Sequence, residues 1–281
     1  MLPCNRLVGG GAEYLAASII SLFGENVKLK AVEDRTPIVL ANRAFEGSRA
    51  KHLVEGQIDL WIADFHQATV SLTEYRQLLS KEEVERANRF KFGHLSDFYT
   101  FCRGTLRRIL AGYLAVPGAT ISFHYGEMGK PSLAIPTDLQ FNASHSGGLF
   151  VCAVSNGLTI GVDVEEIRPM EDMTAIASHF FSPAEQRHLA SLAEVDRTHA
   201  FYECWTRKES VIKATGEGVS RPLDSFEVAF GPAATPHLIR IDDDPSPSWT
   251  MASFEPCAGY VGAVTSPYAW SSVRVCDANR E

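Results

Sequence analysis

Cysteine is scarce in this chain: six in 281 residues, with no C-x-x-C pair among them. Cys4, Cys102, Cys152, Cys204, Cys257 and Cys276 are scattered, several inside apolar runs. They therefore read as reduced, mostly buried thiols of a cytoplasmic protein. Positive charge is also short, with 26 Lys and Arg against 34 Asp and Glu and a formal net charge of −8. That balance argues against a broad nucleic-acid-binding surface, so any polyanionic ligand must be held by a local cluster. Long hydrophobic runs are missing too, since no stretch approaches the ~20 apolar residues of a membrane span. The best candidate, Tyr14 to Phe23, is too short and lacks the charged leader and cleavage signal of a secretory peptide. Its Leu15, Ile19, Leu22 and Phe23 fall at helical spacing, which predicts a packed amphipathic helix. What remains is ordinary for a globular protein of one large or two modest domains, with 45% hydrophobic and 21% charged residues.

Residues 1–56 carry no assignable chemistry and read as an N-terminal extension, either packed on the body or a partly disordered leader. From residue 57 the pattern sharpens. Ile58 to Ala63 reads as a buried strand. Ser80 followed by Glu83 reads as a capped helix start, Leu95 to Leu114 as a long helix, Gly126 to Pro131 as a turn and Leu149 to Val154 as a core strand. The order then repeats: a strand at Leu158 to Val164, a capped start at Ser182-Pro183-Ala184-Glu185, and a long helix from Thr198 to Thr215 that stops at glycine. Strands at Phe226–Phe230, Leu238–Ile241, Ser248–Phe254 and Tyr260–Val264 complete the series. This repetition predicts an α+β fold of two similar subdomains, residues 57–156 and 157–281.

Four segments can carry chemistry. In Gly161-Val162-Asp163-Val164-Glu165-Glu166 the two acids share one face of a strand while Val162 and Val164 face the core. Two adjacent carboxylates suit a magnesium ion, though acids at a strand end also simply face water. On the second long helix Trp205, Glu209 and Lys213 recur every four residues, with Lys208 about 100° away. Glu209 can add a carboxylate or act as a base, and the lysines can meet phosphate; alone, the pattern is equally an exposed Glu–Lys pair. Phe141-Asn142-Ala143-Ser144-His145-Ser146-Gly147-Gly148 reads as a loop able to offer backbone N–H groups and an imidazole to an anion. Gly129-Lys130-Pro131 fixes a lysine in a turn.

Taken together and in order, these segments resemble the 4′-phosphopantetheinyl transferases of the surfactin-synthetase-activating type. The family's G-[IV]-D-[IV]-E strand is similar to Gly161–Glu165, and its W-x-x-K-E-[SA]-x-x-K helix to Trp205–Lys213. Its F-N-x-S-H-S segment resembles Phe141–Ser146, its G-K-P-x-[LI] turn Gly129–Leu133, and its P-L-D-x-F segment Pro222–Phe226. An arginine-bearing helix is matched loosely by Arg103 to Arg107, preceded by Arg86 and Arg89. The likeness runs from about Ile58 to about Val264 and leaves out residues 1–56.

The resemblance implies two α+β subdomains in a pseudo-twofold arrangement, with coenzyme A in the cleft between them. It implies that Asp163, Glu165 and Glu209 hold magnesium, with manganese as a substitute. Lys208, Lys213 and His145 would contact phosphates, and Lys130, Asn142 and Ser144 would line the cleft. Arg89 and Arg103 would serve the 3′-phosphate or adenine end. The implied reaction moves the phosphopantetheine arm of coenzyme A to a serine of an apo acyl or peptidyl carrier protein and releases 3′,5′-ADP. Asp163, Glu209 and Lys213 form its catalytic set, and Glu209 takes the serine proton. A cytoplasmic monomer without nucleic-acid or membrane partners is expected. Two other readings stay open at this level: a different magnesium-dependent phosphoryl-type transferase, and a non-catalytic coenzyme A- or carrier-binding module.

Overall fold

The computed structural model of the protein describes residues 28–30, 38–40, 53–242 and 248–280; the helix expected at Tyr14–Phe23 lies outside them. Two short strands come first, β1 (Lys28–Lys30) and β2 (Ile38–Leu40). Next are β3 (Gln57–Asp64), α1 (Leu72–Leu78), α2 (Lys81–Asn88) and α3 (Gly93–Leu114). The hairpin β4 (Phe123–Tyr125) and β5 (Pro131–Leu133) leads into β6 (Leu139–Ser146) and β7 (Leu149–Asn156). The same order recurs as β8 (Gly161–Glu166), α4 (Met173–Phe180), α5 (Pro183–Ser191) and α6 (Glu194–Thr215). β9 (Phe226–Val228), β10 (Leu238–Ile241), β11 (Thr250–Glu255), β12 (Tyr260–Ser266) and β13 (Ser272–Asp277) follow. α3 and α6 are both 22 residues long.

Local chemistry sets the boundaries. α1, α2 and α5 start with full capping boxes, Ser71/Glu74, Ser80/Glu83 and Ser182/Glu185, each serine and glutamate satisfying the other's orphan backbone N–H. α6 stops at Gly216 (φ 76°), whose N–H donates back to Ile212 O. The strand expected from Leu158 begins at Gly161 instead. Gly157 turns the chain at φ 76°, and Ser155 Oγ donates to Leu158 O, so the backbone is still in a turn there.

The strands form two main sheets. One runs β2-β13-β3-β7-β6 and the other β1-β11-β12-β8. Alternation sorts each sheet's faces. Trp61 and Ala63 of β3 pack with Phe101, Leu106, Ile109 and Leu110 of α3. Ile58 and Leu60 join Val162, Val164 and Phe254 in a middle layer between the sheets. Met251 and Val261 pack against Phe201, Cys204 and Val211 of α6. The fold is thus α+β, with a long helix outside each sheet and a shared apolar centre. The 272–277 stretch leaves the second half: β13 pairs parallel with β3 on one side and β2 on the other. β1 and β2, from the segment before residue 57, form the outer strand of one sheet each.

Phe141 to Ser146 is a strand rather than a loop. β6 pairs with β7 along its whole length, from Leu139 opposite Asn156 to Ser146 opposite Leu149. Its extended backbone pairs with β7 on one side, and its side chains at Asn142, Ser144 and Ser146 face β8. β6 and β8 are edge strands of different sheets, and their side chains meet where the two halves join.

Candidate active site

β8 brings its acids to this seam because α6 lies directly upon it. A Cβ on Gly161 would stand 2.0 Å from Ser210 O and 2.3 Å from Ala214 N, so only glycine admits the helix this closely. The contact sets Lys213 over Asp163, with Nζ 2.6 Å from Oδ1. Ser144 Oγ of β6 donates to the same oxygen (2.7 Å) and accepts from Lys213 Nζ (2.9 Å). Asp163 is 2% exposed, and its second oxygen, Oδ2, is buried without a hydrogen-bond partner. A desolvated carboxylate oxygen with nothing to accept is costly, and a cation is the partner that would relieve it.

Glu165 and Glu209 both feel the Asp163 charge. Burial, then the Asp163 charge, pushes the Glu165 carboxyl up to about 8. The same causes push Glu209 up to about 7, while Lys213 pulls it down. Burial works against the Lys213 ammonium, yet Asp163 and Glu209 hold it above its ordinary value. The three carboxylates therefore share one electrostatic neighbourhood. Among the described residues, no three His, Cys, Asp or Glu side chains form a ready-made ligand cluster. Like charges do not converge unaided, and Lys213 takes one Asp163 oxygen. The donor set, all hard oxygens with one orphaned, fits magnesium.

The remaining expected residues divide. His145 lies on the other face of β6 with its ring edge-on to Phe98 of α3, centroids 5.4 Å apart. One side of the ring is open, but loss of hydration in the crevice and then the Lys213 charge lower its pKa. Asn142 accepts from Val162 N (2.8 Å), and so joins the two sheets rather than facing a ligand. Lys130 Nζ donates to Ala214 O (2.9 Å) and Ile160 O (3.2 Å), pinning the β4–β5 turn to the end of α6; desolvation lowers its pKa to about 8. Arg103 and Arg107 both pair with Glu83, and Arg103 also lies over the Phe123 ring. Arg89 is exposed at the end of α2, its Nε donating to Glu85 O (3.3 Å).

Lys208 requires a correction. It is fully buried, 2.8 Å from Glu185 Oε2, and donates to Leu223 O and Phe226 O (2.7 and 2.6 Å) above the Phe226 ring. With its ammonium saturated inside the second half, it cannot reach a phosphate. Trp205 is likewise core, packed on Phe180 and Phe201. One further contact has no motif to announce it: Ser146 Oγ donates to Glu165 Oε2 (2.6 Å) and accepts from Glu166 N (3.1 Å). The signal for it was the period-two run Asn142, Ser144, Ser146, legible only once the segment is read as a strand.

The chain is similar to known proteins. The family model described as the 4′-phosphopantetheinyl transferase superfamily matches residues 159–265, which include β8 and α6. The chain is 35% identical over 222 residues to 4′-phosphopantetheinyl transferase HetI of Nostoc sp., covering 78% of this chain and 91% of that protein. It is 32% identical over 196 residues to 4′-phosphopantetheinyl transferase Sfp of Bacillus subtilis, covering 69% and 84%. It is 34% identical over 173 residues to 4′-phosphopantetheinyl transferase gsp of Aneurinibacillus migulanus, covering 62% and 67%. Since the likeness to HetI spans nearly all of that protein and the family match holds both the paired acids and the helix facing them, the chain belongs to the 4′-phosphopantetheinyl transferase superfamily.

Proposed function

We propose that this enzyme carries out its transfer with magnesium held by Asp163, Glu165 and Glu209, in the seam between residues 57–156 and 157–281. The observation that carries the metal reading is the buried, unpartnered Asp163 Oδ2 beside two further carboxylates. Bound there, magnesium, or manganese in its place, would neutralise charge on the pyrophosphate oxygens of coenzyme A.

The reaction transfers 4′-phosphopantetheine from coenzyme A to a serine of an apo acyl or peptidyl carrier protein. The serine hydroxyl oxygen forms a bond to the β-phosphorus. The bond from that phosphorus to the bridging oxygen breaks, and 3′,5′-ADP leaves. Glu209, one helical turn before Lys213 on α6, takes the serine proton as general base. Lys213, held charged by its acidic neighbours, stabilises the leaving phosphate oxygen. His145 contacts a ligand phosphate, and Arg89 serves the 3′-phosphate end. Lys130 and Asn142 support the walls through their backbone bonds, and Ser144 orients Asp163 and Lys213. Arg103 shapes the adenine side from its pair with Glu83. The protein acts as a monomer, with both halves of the cleft supplied by one chain, and works in the cytoplasm. Among the described residues no helix is long and apolar enough to cross a membrane.

The test is incubation with coenzyme A, magnesium and a panel of apo-carriers, read by mass spectrometry for the added phosphopantetheine arm. Glu209→Gln should bind coenzyme A yet transfer on the order of a hundredfold more slowly or worse. Full activity in that variant removes Glu209 as the base.

A further inference from the structure

The two sheets meet at β6 and β8 without main-chain pairing between those strands. Side chains bridge the gap instead, at every second residue of β6. Asn142 bonds Val162 N, Ser144 bonds Asp163 Oδ1, and Ser146 bonds Glu165 Oε2 while accepting from Glu166 N. Two serines spaced i, i+2 on one strand thus stand in register with two acids spaced i, i+2 on the other. Each serine occupies one oxygen of its carboxylate. For Asp163 the oxygen left over is the buried one with no partner.

Ser146 is itself held in place. It ends β6 at the turn into β7, where Gly147 has φ 55°, and a Cβ there would stand 2.3 Å from Tyr260 Oη and 2.5 Å from Glu166 Oε2. Gly148 N donates to the same Tyr260 oxygen (3.3 Å), tying the turn to β12. The hydroxyl of Ser146 is therefore fixed at both ends of its hydrogen bonding, donor to Glu165 and acceptor from the β8 backbone.

We infer that Ser146 is a positioning residue for cation binding: it fixes the Glu165 carboxylate against the first half so that its other oxygen is presented to the cation beside Asp163. Ser146 acts through Glu165 and touches neither substrate nor the reacting phosphorus. The inference rests on the reading of Asp163, Glu165 and Glu209 as the cation-holding set. Without the hydroxyl, Glu165 turns freely and must be ordered on each binding event, which weakens the cation by the tenfold or more typical of groups that orient metal ligands.

The experiment measures Mn2+ affinity of the full chain by electron paramagnetic resonance, with coenzyme A and no carrier, so that no turnover occurs. Ser146→Ala should weaken Mn2+ about tenfold or more, and Ser146→Thr, which keeps the hydroxyl, should recover most of the loss. Coenzyme A affinity measured in chelator should not change in either variant. Unchanged Mn2+ affinity in Ser146→Ala overturns the proposal. So does an equal loss in Ser146→Thr, or a loss of coenzyme A affinity in chelator, because either marks a general failure of the seam. Asp163→Asn is the control: if it binds Mn2+ as the parent does, the cation reading itself has failed, whatever Ser146 does.

Discussion

Each half of the molecule buries one aspartate on its first strand, on the face toward its own long helix. Asp59 of β3 is 0% exposed and Asp163 of β8 is 2% exposed. In the first half both carboxylate oxygens are satisfied. Arg274 of β13 clasps them with Nε and Nη2, and Tyr113 near the end of α3 donates its hydroxyl to Oδ2. In the second half the helix supplies Lys213, which together with Ser144 reaches only Oδ1. The planar guanidinium fork covers a carboxylate on two points, whereas an ammonium meets it as a point charge. The same plan thus gives one acid closed by a cation of the chain and one left open to a cation from solution. What separates structure from chemistry here is a strand, β13, that visits only the first sheet.

Exchanging each aspartate for asparagine should break this comparison most visibly. Asp163→Asn should abolish detectable Mn2+ binding and reduce transfer by more than the roughly hundredfold that supporting residues cost. Asp59→Asn should leave Mn2+ affinity unchanged and lower stability to denaturant by roughly 2–3 kcal/mol, because Arg274 then faces a neutral partner. A cation defect in Asp59→Asn would end the distinction between closed and open acids. Lys208 belongs with the closed class, so Lys208→Met should cost roughly 3 kcal/mol by stranding the Glu185 carboxylate. The folded Lys208→Met protein should bind coenzyme A normally; normal stability with weakened coenzyme A binding would return Lys208 to the phosphate site.

The smallest effect concerns pH. The Glu165 and Glu209 carboxyls lie at about 8 and about 7 against an ordinary 4.5. A carboxyl raised by folding contributes stability that is complete below its unfolded value and is lost as pH climbs through the folded one. The cation-free protein should therefore lose melting temperature between about pH 4.5 and about pH 8. Over the same window the stabilising shift from magnesium should grow, because the ion replaces protons at those oxygens. A magnesium-induced shift that is flat across this range would place the raised carboxyls outside the binding site.

Much of this arrangement is readable in the chain. The Ser80 and Ser182 caps, the shared face of Asp163 and Glu165, and the helical row that brings Lys213 round are local properties, fixed by spacing alone. What spacing does not fix is the partner on the other side. Lys208 follows the same helix as Lys213, but its fate is decided by Glu185 and by carbonyls at Leu223 and Phe226, which only the folded second half brings near. Arg103 looks available until Glu83, twenty residues earlier, is folded against it. The segment Phe141 to Ser146 hides its strand character because small polar side chains occupy the alternate positions, a pattern that makes sense only against β8. The pairing of Arg274 with Asp59 joins residues 215 apart and leaves no periodic trace.

That last contact bears on how the protein is made. β13 lies inside the five-stranded sheet, between β2 and β3, and is followed by Ala278 and Asn279, both buried, with Asn279 bonding the main chain of Asp64 on both sides. The first sheet to leave the ribosome therefore waits with an open slot until nearly all of the second half has been synthesised. During that interval the edges of β2 and β3 are exposed to other chains, and clipping a few residues past Ser271 would unravel the part of the protein that was translated first.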